Sequence, residues 1–66
     1  MKNSIKVERA KLNITQEDLA KEIEVSRQTI NSIETEKYVP STVLALKIAR
    51  FFNTIVDEIF KLDPKD

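Results

Sequence analysis

The chain has 66 residues with no Cys, no His and no Gly, and its 11 basic residues are balanced by 11 acidic ones. A chain this short buries only ~60% of its unfolded surface, so a single domain over residues 1–66 is expected, with modest stability that oligomerisation would raise. Without Cys there is no disulfide or thiolate metal site, and without His the commonest metal ligand and general base are missing; neither an enzyme nor a metal or cofactor centre is expected.

The N-terminal MKNSIK leads into an amphipathic segment, not the continuous apolar core of a signal peptide, and no apolar run reaches the ~20 residues that cross a bilayer. A cytoplasmic protein is expected. The first helix is predicted from about Ser4 to Leu12, with Ile5, Glu8, Arg9 and Leu12 on one side and Asn13 as a left-handed stop. Thr15 caps the second helix, with Asp18 three residues on completing a variant capping box, and Leu19, Ala20 and Ile23 form its buried face. Ser26 caps the third helix, which buries Ile30 and Ile33, holds Thr29 at the edge and ends near Thr35. After the loop Glu36 to Pro40, Ser41 caps a fourth helix running to about Phe52. Asn53 closes it, and Thr54 caps a fifth helix from Ile55 to about Phe60. Leu62, in the polar tail KLDPKD, is compatible with a short strand pairing with Met1 to Asn3. The fold class is therefore all-α, with five helices.

The fourth helix is too apolar for a surface helix, which needs a stripe of only ~100°. Val43, Leu44, Ala45, Leu46, Ile48, Ala49, Phe51 and Phe52 are interrupted only by Lys47 and Arg50. Ile55, Val56, Ile59 and Phe60 add more apolar surface than one core face needs. We read Phe51, Ile55, Val56, Ile59 and Phe60 as a homodimer interface, in preference to a tightly wrapped monomer core.

LAKEIEVSRQTINSIE, residues 19–34, is a helix, a short turn and a helix. Ala20 is small where two such helices approach, Val25 plugs the turn, and Ile30 and Ile33 give the second helix an apolar inner side. Arg27, Gln28, Asn31 and Ser32 are left on the outside. In a helix-turn-helix the second helix enters the major groove. Arg pairs bidentately with guanine, and Gln or Asn with adenine; Thr29 offers a methyl for thymine or a hydroxyl for a phosphate. Taken singly, each of these is more often a solvated polar residue. Together, at this spacing, they point to a base-reading face. Other clusters carry less: Glu17, Asp18 and Glu22 are ordinary first-turn and surface acids rather than metal ligands. Tyr38 has no base to activate it, and the phenylalanines fit a core or a dimer seam better than a ligand pocket.

TQEDLAKEIEVSRQTINSIE, followed by KYVPS and ALKIA, resembles the phage Cro/repressor-type (XRE) helix-turn-helix regulators over nearly the whole chain, and especially their short single-domain type. The resemblance implies a lambda-repressor-like DNA-binding domain with its helix-turn-helix at the second and third helices. It implies base reading by Arg27 and Gln28, with Ser32 a further reader and Asn31 an auxiliary contact. It implies phosphate contacts at Gln16, Ser26, Lys37 and Tyr38, and a structural ion pair between Arg9 and Glu34. The family usually has Gly where this chain has Glu24, and often Gly or Asn where it has Glu36; at positive φ either Glu costs roughly 1 kcal/mol relative to Gly.

The expected function is a sequence-specific transcriptional regulator, a homodimeric repressor of double-stranded operator DNA. The alternative is an antitoxin-like or other protein-partner-binding module. No membrane partner is expected, nor a small-molecule effector, since the chain leaves no room for a sensor domain. Zero net charge implies few phosphate contacts, among Lys6, Lys11, Arg27 and Lys37, and a shallow salt dependence.

Overall fold

The computed structural model describes residues 1–66. Strand β1 (Lys2–Asn3) precedes helices α1 (Ile5–Leu12), α2 (Gln16–Glu22), α3 (Arg27–Glu34), α4 (Thr42–Phe51) and α5 (Val56–Ile59), and β2 (Phe60–Lys61) follows. The two strands pair antiparallel, Lys2 opposite Lys61 and Asn3 opposite Phe60. The all-α, lambda-repressor-like class thus holds, with one small terminal sheet.

Three helices start on a hydroxyl residue that accepts an N–H otherwise left without a partner. Thr15 accepts from Asp18 N–H, and the Asp18 carboxylate accepts from Thr15 N–H, completing the capping box. Ser26 accepts from Thr29 N–H and Ser41 from Leu44 N–H.

Four helices end in the same way. Asn13, Glu24, Glu36 and Asn53 sit at φ of 56°, 60°, 64° and 57°, and no other residue has positive φ. At each, the left-handed residue donates to the helix three residues back and its successor donates five residues back, as in a Schellman motif. The pairs are Asn13 to Ala10 with Ile14 to Arg9, Glu24 to Lys21 with Val25 to Ala20, Glu36 to Ile33 with Lys37 to Ser32, and Asn53 to Arg50 with Thr54 to Ala49. A chain without glycine still needs left-handed residues to close its helices; Asn supplies two of them and Glu the other two.

The core gathers Ile5, Leu19, Ala20, Ile23, Ile30, Ile33, Leu44, Ala45, Ile48, Ala49, Ile59 and Phe60. Two sequence expectations need correction here. The fifth helix begins at Val56, with Ile55 in the cap position and no side-chain cap bond. Thr54 is already used in closing α4, and one extended residue must follow before the chain can turn. The terminal strand is Phe60–Lys61, so Phe60 leaves the helix while Leu62 lies beyond the strand and is exposed. Burying the Phe60 ring while β2 reaches back to β1 requires an extended backbone there. Asn3 ties this sheet to α3, donating from Nδ2 to the Ile33 carbonyl at 2.8 Å while its Oδ1 accepts from Ile5 N–H at 3.2 Å.

Candidate nucleic-acid interface

Helix α2 packs on α3 with Leu19, Ala20 and Ile23 buried on one side and Ile30 and Ile33 on the other. The small side chain of Ala20 lets the two approach, and Val25 packs partly buried in the turn. With its inner face consumed, α3 turns Arg27, Gln28 and Asn31 fully outward, with Thr29 and Ser32 half-exposed beside them. The three ion pairs of the chain join Met1 to Asp66, Arg9 to Glu34 and Lys11 to Glu8; Arg27 and Lys37 belong to none. Arg27 on α3 and Lys37 in the loop after it are therefore cations without an ion-pair partner.

At the N-terminal end of α3 the Ser26 and Thr29 hydroxyls lie 2.9 Å apart in a mutual hydrogen bond. Ser26, Gln28, Thr29, Ser32 and Tyr38 line one shallow polar groove. The Lys37 and Tyr38 N–H groups both donate to the Ser32 carbonyl, at 2.9 and 3.2 Å, which brings the loop after α3 alongside that groove. Glu36, in the left-handed position beside Lys37, forms no ion pair. Of the cations expected to meet phosphates, Lys11 is drawn to Glu8 at 3.1 Å. Lys6 is exposed on α1.

Arg9 and Glu34 make a bidentate pair: Nε donates to Oε2 at 2.7 Å and Nη2 to Oε1 at 3.0 Å. Arg9 Nη1 also donates to the Ile14 carbonyl at 3.1 Å. The side chains are only 14% and 6% exposed, so neither charge has much water to fall back on. The Glu34 carboxylate, by hydrogen bonding first, raises the Arg9 guanidinium above its already high ordinary value against the effect of burial. The pair joins α1 to α3.

Gln16, the expected phosphate contact at the start of α2, turns its side-chain amide toward α3. Its Nε2 donates to Asn31 Oδ1 at 3.2 Å and to Glu34 Oε1 at 3.1 Å. Sequence reading missed this bridge because Gln16 stands 15 and 18 residues before Asn31 and Glu34; only α2 packing on α3 brings them together.

The residues expected to form a dimer seam divide. Ile59 and Phe60 are 1% and 5% exposed within this chain's own core and have no face left for a second copy. Phe51 is half-buried, its ring edge-on to Phe52 at 5.1 Å. Val56 is half-buried and Ile55 is exposed. Val43 and Leu46, left outside that expected seam, stand beside them at 64% and 56% exposed. Val43, Leu46, Ile55 and Val56 line an open apolar depression together with Lys47 and Arg50 of α4 and Asp57 of α5. The apolar excess of the fourth helix was the signal that could have found Val43 and Leu46. No helix is long and apolar enough to cross a membrane.

A family model described as helix-turn-helix matches residues 5–59, from the first residue of α1 to the last of α5. An HTH-type transcriptional regulator of Methanocaldococcus jannaschii is 58% identical over 60 residues, covering 91% of each chain. One of Archaeoglobus fulgidus is 50% identical over 66 residues, all of this chain and 93% of its own. The regulator YgzD of Bacillus subtilis is 41% identical over the full length of both chains.

Proposed function

Given that this chain belongs to the XRE-type helix-turn-helix family of DNA-binding transcriptional regulators, we propose that it is a homodimeric repressor that reads operator half-sites with α3 in the major groove. The observation that carries this reading is the exposed face of α3. It holds Arg27, Gln28 and Asn31 clear of any ion pair while Ile30 and Ile33 anchor the opposite side. Arg27 and Gln28, at the start of the helix, take the base edges, Ser32 follows one turn on and Thr29 lies at the edge. Ser26, Lys37 and Tyr38 fix the register on phosphates without reading sequence. Repression follows from occupying a promoter-proximal operator in the cytoplasm, a choice that rests on family tendency.

The second copy covers the depression between Val43, Leu46, Ile55 and Val56. A two-fold contact sets the same patch against itself, and the patch carries both signs of charge, Lys47 and Arg50 with Asp57, for pairing across it. Two recognition helices then read half-sites about one helical turn apart, roughly 34 Å. The rival reading, an antitoxin-like module for a protein partner, draws on the same apolar depression but gives Arg27 and Gln28 no task.

Replacing Arg27 and Gln28 together by Ala separates the two. Each bidentate base contact is worth about 1–3 kcal/mol. Selective binding to genomic DNA fragments should therefore fall by at least tenfold, while weak non-selective binding persists. Selective binding that survives the double replacement would show these are not the base readers.

A further inference from the structure

The bridge through Gln16 has a direction imposed by charge. Glu34 is a nearly buried acceptor whose two carboxylate oxygens both accept from Arg9. A carboxylate accepts only, so the Gln16 amide must turn its NH2 group, not its oxygen, toward Glu34 Oε1. The second hydrogen of that NH2 group then points at Asn31, which must present Oδ1 to receive it. With its oxygen held by Gln16, Asn31 turns its own NH2 group outward from α3.

We propose that Gln16 is a positioning residue that transmits the fixed orientation of the Arg9–Glu34 pair to Asn31, making Asn31 a hydrogen-bond donor toward one base. This rests on the reading of α3 as the major-groove helix. A donor edge favours guanine or thymine, whose groove edges offer acceptors only, and disfavours cytosine, whose edge offers a donor. A bidentate Asn–adenine contact would have to share the amide oxygen, through its second lone pair, with Gln16. Asn31 thereby contributes discrimination that an unbraced Asn, free to present either edge, does not.

The test is selection from a randomised operator library by the full chain, comparing wild type with Gln16→Met, Asn31→Ala, the double variant and Asn31→Asp. Gln16→Met keeps the side-chain length and removes the donors. It and Asn31→Ala should relax the preference at the same single base position by about two- to tenfold, the worth of one net hydrogen bond. The double variant should lose no more than either alone. Asn31→Asp still accepts from Gln16 but has no hydrogen to donate, so it should shift that position toward cytosine or adenine. This last variant tests the inference even if Gln16→Met folds poorly. Uniform loss of affinity across all sequences in Gln16→Met, with every base preference intact, overturns the inference and makes Gln16 a phosphate anchor. An unchanged preference in Asn31→Asp overturns it as well. A wild-type chain that selects no sequence at all instead defeats the DNA reading itself, and this inference with it.

Discussion

Glu24 and Glu36 hold backbone conformations at φ of 60° and 64° that a residue with a Cβ adopts at a cost. The left-handed region costs a non-glycine residue about 1–2 kcal/mol, and glycine returns about 0.5–1 of that through its larger unfolded-state entropy. Glu24→Gly should therefore stabilise the domain by about 0.5–1 kcal/mol, raising Tm by roughly 2–8 °C for a chain of this size. Glu36→Gly should do the same. The two should add, because α3 separates them by its full length of about 12 Å. Thermal denaturation of the two single variants and the double reads this directly, and a fall in Tm would mean the Glu side chains hold the turns by contacts of their own. Asn13 and Asn53 perform the same closure at smaller cost, since Asn tolerates this region better than Glu.

At the scale of elements, α2 is held by its start as well as by its buried face. The Thr15 N–H, and then the Thr15 side chain, hold the Asp18 carboxyl below the usual carboxylate range. A depressed folded-state pKa adds stability that is fully present above the unfolded value of about 3.9 and is lost as pH falls through the folded value. Asp18→Asn should thus lower Tm by a few degrees at neutral pH. Its Tm should fall less steeply than that of the wild type below about pH 4, the two curves converging in acid. Parallel curves would mean that the carboxylate charge adds nothing to the cap. The Arg9–Glu34 pair works between elements, and removing one partner leaves a nearly buried charge at a cost of about 3–5 kcal/mol. A domain of this size has roughly 3–10 kcal/mol in total. The pair is thus a condition for α1 and α3 keeping their places, and with them the Gln16 bridge.

For the whole molecule, the deciding quantity is what covers the α4–α5 depression. Leu46 and Ile55 are 56% and 63% exposed in the single chain, so charging them leaves the core intact. Leu46→Glu with Ile55→Glu should keep the helical signal and a comparable Tm while converting a dimer to a monomer by sedimentation. Operator affinity should fall by two orders of magnitude or more, because a single half-site lacks the gain from linking two. A variant that stays dimeric places the interface elsewhere on the surface. One that is monomeric yet binds as tightly as wild type shows that one recognition helix suffices.

Much of this protein is written locally in its sequence. Thr15 with Asp18, Ser26 and Ser41 announce three helix starts, because a hydroxyl beside an apolar period satisfies N–H groups within a few residues. The spacing of Ala20, Val25, Ile30 and Ile33 announces the helix-turn-helix, and Arg27 and Gln28 are outward because the helical period leaves them no other side. Asn13 and Asn53 mark two ends by their chemistry. What the sequence left open depends on residues distant along the chain. Whether Ile59 and Phe60 face a partner or the core depends on where β2 meets β1. That Gln16 reaches Asn31 and Glu34 depends on how α2 crosses α3. Local hydrogen bonding and period settle elements and faces; only packing decides which apolar faces are consumed and which polar side chains find each other.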